Sequence, residues 1–131
     1  MKHRIPLFFL LLLIGFSVSA EESDTDEPIE YLSMKPEFVV NLQGNKRSYL
    51  RTDIELLIEN KERAEKIKAH MPALRHALIM LISEYSADQL SDLKQREDFR
   101  KKALTETRNT LDKYASSEGL TDLFFTEFLV Q

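Results

Sequence analysis

The sequence predicts an α+β domain in which two helices pack on one side of a small sheet, with the elements in the order β-β-α-α-β. Three observations lead to this prediction. Residues 48–58 alternate between apolar and polar side chains, the middle of the chain repeats apolar residues with helical spacing, and residues 120–131 are rich in apolar and aromatic side chains. With 131 residues, the chain has room for one small domain of this kind.

The first two strands are predicted to form a hairpin. The segment YLSMKPEFVVNL (residues 31–42) is β-rich toward its end, and Pro36 belongs at the start of a strand or on a sheet edge. Residues 43–46, Gln-Gly-Asn-Lys, signal a turn. The strand that follows is predicted to bury one face, which consists of Leu50, Thr52, Ile54, Leu56 and Ile58.

The first helix is predicted to begin at Asn60. Its apolar stripe falls within an arc of about 100° on a helical projection and consists of Ala64, Ile67, Met71, Leu74, Leu78, Leu81, Ile82 and Tyr85. Pro72 lies inside this pattern and lacks the N–H that would bond to Lys68. We therefore expect a kink near His70 and Met71.

The second helix is predicted to begin at Ser86, because Ser86 and Gln89 have the spacing of a capping box. Its amphipathic pattern ends before residues 116–119, Ser-Ser-Glu-Gly. Residues 120–131, LTDLFFTEFLVQ, then form the last strand. Apolar side chains occur on both of its faces, so we expect a place beside other strands and not at an exposed edge.

The N-terminal segment is typical of a secretory signal. Residues 1–4 are basic, and residues 5–18 are apolar and interrupted by Pro6. A helix of this length would span about 21 Å, less than the roughly 30 Å of a bilayer core. Residues 18–20, Val-Ser-Ala, favour cleavage between Ala20 and Glu21. A short uncleaved signal-anchor is the alternative. Residues 21–30 are then an acidic linker, and residues 31–131 the folded domain.

Composition and charge exclude several classes of function. The net charge is −4, and removal of residues 1–20 leaves 16 basic and 22 acidic residues, a net charge of −6. An acidic chain without a basic block is a poor partner for nucleic acid. The chain has no cysteine, which excludes disulfides, thiol nucleophiles and thiolate-bound metals.

The sequence predicts no catalytic site, no metal site and no cofactor. His70 and His76 are six residues apart and point about 120° from each other on a helix, so they cannot share a metal. Asp53 and Glu55 share one strand face at a separation of about 7 Å. Paired carboxylates can serve acid–base chemistry, but an alternating strand face accounts for both residues without it.

One helix face differs from a solvated surface. Away from the main stripe, where charged residues are usual, the first helix carries a second, weaker apolar set of Ala69, Ala73, Ala77 and Met80, with Ile79 between the two sets. The candidate contact face consists of Ala73, Ala77, Ile79 and Met80. A wider core, or partial cover by the second helix, is one interpretation. The other is contact with a second copy or another protein.

The segments YLSMKPEFVVNL, SYLRTDIELLIEN, AHMPALRHALIMLIS, SADQL and LFFTEFLVQ, in this order and spacing, resemble the flagellar basal-body-associated protein FliL family from about residue 31 to the end. The resemblance implies a periplasmic domain similar to the stomatin/prohibitin (SPFH) fold, with no catalytic motif. It also implies homo-oligomeric rings around flagellar stator units, contact with the periplasmic part of a stator protein of the MotB type, and a role in swimming, swarming or chemotaxis. Family members usually have one uncleaved transmembrane helix, which a short signal-like segment replaces here.

Two other hypotheses remain open on the sequence. One is a periplasmic binding or scaffold module with no tie to the flagellum. Under either hypothesis, the sequence leaves open whether the exported domain stays in contact with the membrane. The other is an enzyme built on Asp53 and Glu55, which would require both carboxylates to line a concave pocket.

Overall fold

The computed structural model describes residues 27–131, which form a four-stranded sheet with helices over one face. The strands are β1 (Glu30–Ser33), β2 (Phe38–Asn41), β3 (Tyr49–Ile58) and β4 (Leu120–Val130). The helices are α1 (Lys61–Lys68), α2 (Met71–Ser83), α3 (Ala87–Ser91) and α4 (Leu93–Tyr114). The predicted α+β class with a small sheet is confirmed. The predicted order β-β-α-α-β is wrong, because the first strand and both helices are each divided in two.

Strand β3 is the centre of the sheet, and all pairings to it are antiparallel. β1 and β2 share one of its edges, with Glu30 opposite Ile58 and Phe38 opposite Thr52. β4 occupies the other edge along nearly the whole length of β3. The chain between β1 and β2 contains Pro36, which follows a cis peptide bond and has no N–H to donate to a sheet. Residues 31–42 therefore supply parts of two strands where the sequence predicted one.

The predicted buried face of β3 is confirmed, since all five of its predicted residues are buried. They pack against the apolar stripe of the first predicted helix, of which Leu74, Leu78 and Ile82 are fully buried. The predicted hairpin is also confirmed: β2 and β3 pair across residues 42–48, and Gly44 in the turn has a positive φ of 135°. Burial of this apolar surface is the main stabilising contribution to the domain.

The expected kink near His70 and Met71 is a complete break between α1 and α2. The N–H of Ala69 still donates to Glu65 O at 3.3 Å, but His70 is already the N-cap of a new helix. Pro72 stands in the first turn of α2, where backbone N–H groups have no intrahelical partner. The N–H that proline lacks is therefore not needed at this position, and a new helix begins here.

The capping box at Ser86 is confirmed in both directions. The Gln89 N–H donates to Ser86 Oγ at 3.3 Å, and the Ser86 N–H donates to Gln89 Oε1 at 2.9 Å. The helix that it starts, α3, ends after one turn because Asp92 has an extended backbone. Asp92 caps α4 by accepting from the Gln95 N–H at 2.9 Å. A second, unrecognised cap thus divides the predicted second helix.

The expectation that β4 lies beside other strands and not at an exposed edge is wrong: within residues 27–131 it pairs with β3 alone and forms an edge of the sheet. The reason for its apolar residues on both faces is a bulge. Asp53 is opposite Glu127 but Ile54 is opposite Phe125, which leaves Thr126 unpaired. Phe125 and Phe128 therefore both face the helices although they are three residues apart. There they form a cluster with Phe99, whose ring centroid lies 5.3 Å from that of Phe125.

Candidate interaction surfaces

The predicted contact face of α2 lies partly in a groove. Ala73, Ala77 and Met80 form one wall of a groove of about 470 Å³ between α2 and α4. Met80 is 53% exposed and Ile79 is 38% exposed, whereas the two alanines are half-buried. The structure thus brings three of the four predicted residues together, and Ile79 lies outside the groove lining.

The opposite wall of this groove comes from α4 and is polar, with Lys102, Glu106, Asn109 and Lys113 along it. This wall was not among the residues predicted from the sequence. The spacing of four, three and four residues places these side chains on one helix face, and this signal could have identified them. A charged helix face alone, however, does not indicate which neighbouring element it faces. The groove combines an apolar wall with a charged one, as protein contact surfaces often do.

The two histidines of the folded part have separate surroundings. His70 is the N-cap residue of α2, and its ring stacks on Tyr114 with centroids 6.4 Å apart. His76 is exposed and lines the groove between α2 and α4. The break between α1 and α2 places them in different roles, one at a helix end and one on a helix face.

Asp53 and Glu55 lie on the sheet face opposite the helices. Asp53 accepts a hydrogen bond from Lys35 Nζ at 2.9 Å. Nearby, Glu37 pairs with Arg51 at 2.8 Å, and carboxylate oxygens of Glu37, Asp53 and Glu127 lie within 4.8 Å of one another. The hydrogen bond from Lys35 raises the pKa of that lysine, and the bond to Glu37 raises the pKa of Arg51. Lys35 and Arg51 thus offset much of the cluster's negative charge.

The hypothesis of an enzyme on Asp53 and Glu55 requires a concave pocket. Neither residue lines any of three grooves of residues 27–131, which lie between α2 and α4, between α4 and β4, and at the junction of α1 with the end of α4. The cross-strand ion pairs of the cluster account for its carboxylates as part of a solvated sheet face.

A second groove, of about 240 Å³, lies between the first half of α4 and β4. Its lining is aromatic and cationic and consists of Leu93, Arg96, Glu97, Arg100, Phe124, Phe125 and Phe128. The Arg96 guanidinium carbon lies 4.3 Å from the centroid of the Phe128 ring. The sequence did not predict this groove, because the β4 bulge that aligns its residues has no clear sequence signal.

Arg100 is the most heavily bonded side chain of the second groove. It contacts Glu97 at 2.7 Å and Asp122 at 2.5 Å, and it donates to Leu123 O at 3.0 Å. The hydrogen bond that Arg100 donates to Glu97, followed by the one that it donates to Asp122, raises the pKa of Arg100, and the contact with Arg100 lowers the pKa of Glu97. Arg100 is thus held in place by α4 and β4 together.

The predicted cleavage position, Ala20 and Glu21, lies outside the described residues. Within residues 27–131, no helix has both the length and the apolar character needed to cross a bilayer.

Comparisons with known proteins agree with the resemblance. The family model described as "Flagellar basal body-associated protein FliL" matches residues 31–131. A curated relative, "Flagellar protein FliL" of Aquifex aeolicus (strain VF5), is 27% identical over 99 residues, which is 75% of this chain and 59% of the relative. The chain thus spans about three-fifths of that relative's length. Since the family model covers most of the chain, the protein belongs to the FliL family of flagellar basal body-associated proteins.

Proposed function

We propose that this protein is a non-enzymatic accessory protein of the flagellar basal body, exported by residues 1–20. Its domain, residues 31–131, would associate with further copies and bind or encircle the stator through the periplasmic part of a MotB-type protein. In this way it would support flagellar rotation, swimming or swarming, and chemotaxis. The observation that carries the proposal, beside family membership, is the groove between α2 and α4 with its apolar α2 wall.

The α2 wall suits protein contact for a physical reason. α2 has no acidic residue, and Ala73 and Ala77 allow close approach of another backbone or side chain. A partner that covers this wall buries the exposed part of Met80 without desolvating a charge there. The charged α4 wall can then fix the orientation of the partner.

Such a protein acts by binding and not by making or breaking bonds. If it contacts one state of the stator more tightly than another, it raises the population of the favoured state. Coupling energies of about 1–3 kcal/mol are typical of such effects. We infer, from the family resemblance, that the domain has an arrangement similar to the stomatin/prohibitin fold, whose repeated copies would supply the ring.

Site-specific photo-crosslinking in motile cells tests this proposal. A photoreactive amino acid at position 80 should crosslink to a second copy or to the stator protein. The same amino acid at position 65, where an exposed glutamate of α1 stands, should give neither product. Deletion of the gene should reduce the swimming radius in soft agar, and expression of the protein should restore it.

The outcomes separate the two hypotheses. Unchanged swimming after deletion, together with crosslinks to a different envelope protein, would instead support a scaffold module with no tie to the flagellum. Absence of crosslinks from position 80 would contradict the assignment of the α2 wall. The mass of the N-terminus after cell fractionation decides the form of the protein: a start at Glu21 indicates a cleaved signal, and an intact Met1 in the inner membrane indicates an anchor.

A further inference from the structure

The outer edge of β4 is divided into two halves that differ in their polar partners. Because β4 pairs with β3 on one side only within the described chain, every second residue of β4 directs its N–H and C=O away from the sheet. Unpaired edge groups of this kind are places where another strand can add, and proteins usually protect them.

Arginines of α4 protect the first half of this edge. Arg108 Nη2 donates to Leu120 O at 3.1 Å and to Thr121 O at 3.0 Å. Arg100 Nη1 donates to Leu123 O at 3.0 Å. These bonds occupy carbonyls that an added strand would need, so this half is closed to strand addition.

The second half of the edge has no such protection. Tyr49 and Gln131 exchange two backbone hydrogen bonds, of 2.7 and 3.0 Å, so Gln131 faces β3 and the alternation places the polar groups of Phe128 and Val130 outward. Among the side-chain hydrogen bonds of residues 27–131, none reaches the N–H or C=O of Phe128 or Val130.

A third arginine of α4 lies beside the open half but does not close it. Arg96, Arg100 and Arg108 are spaced by multiples of four residues and follow one side of the helix. Arg96 donates through Nε to Leu90 O at 3.2 Å and stacks on Phe128. Unlike Arg100, it has no carboxylate within 4.0 Å in the described part of the chain. Leu93, one turn earlier, is 78% exposed.

We propose that the edge of β4 from Thr126 to Val130 binds an extended segment of the partner protein as an added strand. In this arrangement a carboxylate of the segment pairs with Arg96, and an apolar side chain covers Leu93 in the groove between α4 and β4. The inference rests on the proposed function, since the segment would come from the periplasmic part of the stator protein. Backbone bonds supply the affinity of such a complex, and the groove supplies its selectivity.

Peptide binding to the full-length chain tests the proposal. The probes are overlapping 12-residue peptides that span the periplasmic part of the stator protein from the same cells, with fluorescence anisotropy as the readout. We expect a peptide with alternating apolar residues and at least one carboxylate to bind. Amide exchange at Val130 and Phe128 should slow in its presence.

Two pairs of variants make the test specific. Arg96→Glu should weaken peptide binding by about tenfold or more, because a charge-assisted hydrogen bond is lost. Arg47→Glu makes the same charge change in the turn before β3 and should leave peptide binding unchanged. Val130→Pro removes an outward N–H without a loss to the β3–β4 pairing and should also abolish binding. Val130→Ala retains that N–H and should leave peptide binding intact.

The results distinguish this inference from the proposed function. If the whole periplasmic part of the stator protein co-purifies with the chain while no peptide binds, or while Arg96→Glu and Val130→Pro bind like the unmodified chain, the function stands and the inference is wrong. If the edge of β4 instead pairs with the β4 edge of a second copy, the chain should form a concentration-dependent dimer that Val130→Pro abolishes. In that case the edge joins copies, and the assignment to the stator protein is overturned.

Discussion

Helices α2 and α4 lie side by side over the same face of the sheet, but their outer surfaces differ. The outer side of α4 carries charges of both signs, such as Lys101, Lys102 and Glu106, whereas the outer side of α2 carries Ala77, Ile79 and Met80. Covering α4 would require the desolvation of many charges, and covering α2 would not. The two helices thus have equivalent inner faces but different outer ones, since the outer side of α4 is charged and that of α2 is more apolar.

The largest effects are expected on the inner faces, where the two helices should behave alike. Leu78 of α2 is fully buried, and Phe99 of α4 is buried among aromatic rings. Leu78→Ala should lower the free energy of unfolding by about 2–5 kcal/mol and Phe99→Ala by about 3–5 kcal/mol. Urea denaturation measures both.

The matched control for these cavities is Leu93→Ala, since Leu93 is largely exposed on α4. Its free energy of unfolding should stay within about 0.5 kcal/mol of the unmodified chain. A stable Leu78→Ala variant would contradict the assignment of the α2 inner face to the core.

A smaller loss is expected from Arg75, which lies on α2 and ties it to the segment between β1 and β2. Arg75 Nη1 donates to Met34 O at 3.0 Å and to Pro36 O at 2.6 Å, and its guanidinium lies 4.0 Å from the centre of the Phe38 ring. Burial lowers the pKa of Arg75. Arg75→Ala should reduce the free energy of unfolding by about 1–3 kcal/mol, because two carbonyls lose a charged donor.

Arg75→Lys separates charge from geometry. Lysine keeps the charge but cannot present the planar guanidinium to the two carbonyls and the ring, so its thermal midpoint should fall between those of the unmodified and alanine chains. If the alanine variant unfolds at the same temperature as the unmodified chain, Arg75 does not join α2 to this segment.

The fold was predictable where hydrophobic periodicity is regular. The alternation along β3 and the stripe that includes Leu74 and Leu78 both matched burial, because period and core face are directly related. The divisions at Pro72 and Asp92 were not recognised. Pro72 and Asp92 are each compatible with either a bent helix or a new one, so local sequence does not select between the two.

The candidate surfaces were predictable only in part. An apolar set on the wrong side of a helix identified Ala73, Ala77 and Met80, but the α4 wall of their groove depends on how two helices are placed, which local periodicity does not contain. The β4 bulge at Thr126 could not be predicted from local sequence either. It changes which residues face Arg96, and no local sequence rule indicates it.

On the outer face of α2, a large change in association is expected with little change in stability. Met80→Glu places a charge on the exposed apolar wall, which should abolish self-association in analytical ultracentrifugation. Because Met80 is half-exposed, the free energy of unfolding should change by no more than about 0.5 kcal/mol, and the circular dichroism spectrum should stay the same.

The same substitution on α4, Leu93→Glu, is the control for Met80→Glu. It adds an equal charge at an exposed apolar residue outside the α2–α4 groove, so it should leave self-association intact. Association of Met80→Glu at the level of the unmodified chain would show that the α2 wall is not the contact between copies.

The smallest effect is expected from pH, and it should be confined to α4. The hydrogen bond from Arg100 lowers the pKa of Glu97, so the stabilising contribution of this pair is fully present above the ordinary glutamate value of about 4.3 and is lost as the pH falls through the lower folded value. Between about pH 5 and about pH 2, an NMR titration should therefore give Glu97 a lower titration midpoint than a glutamate in an unfolded peptide. Chemical-shift changes should appear at the start of α4. α2 has no acidic residue of its own, and its amides should respond less. Arg100→Gln should return the Glu97 midpoint toward its ordinary value. An unchanged Glu97 midpoint in that variant would mean that Arg100 and Glu97 do not interact in solution. The charged side chains of α4 would then be independently solvated, and α4 would differ from α2 only in its amino-acid composition.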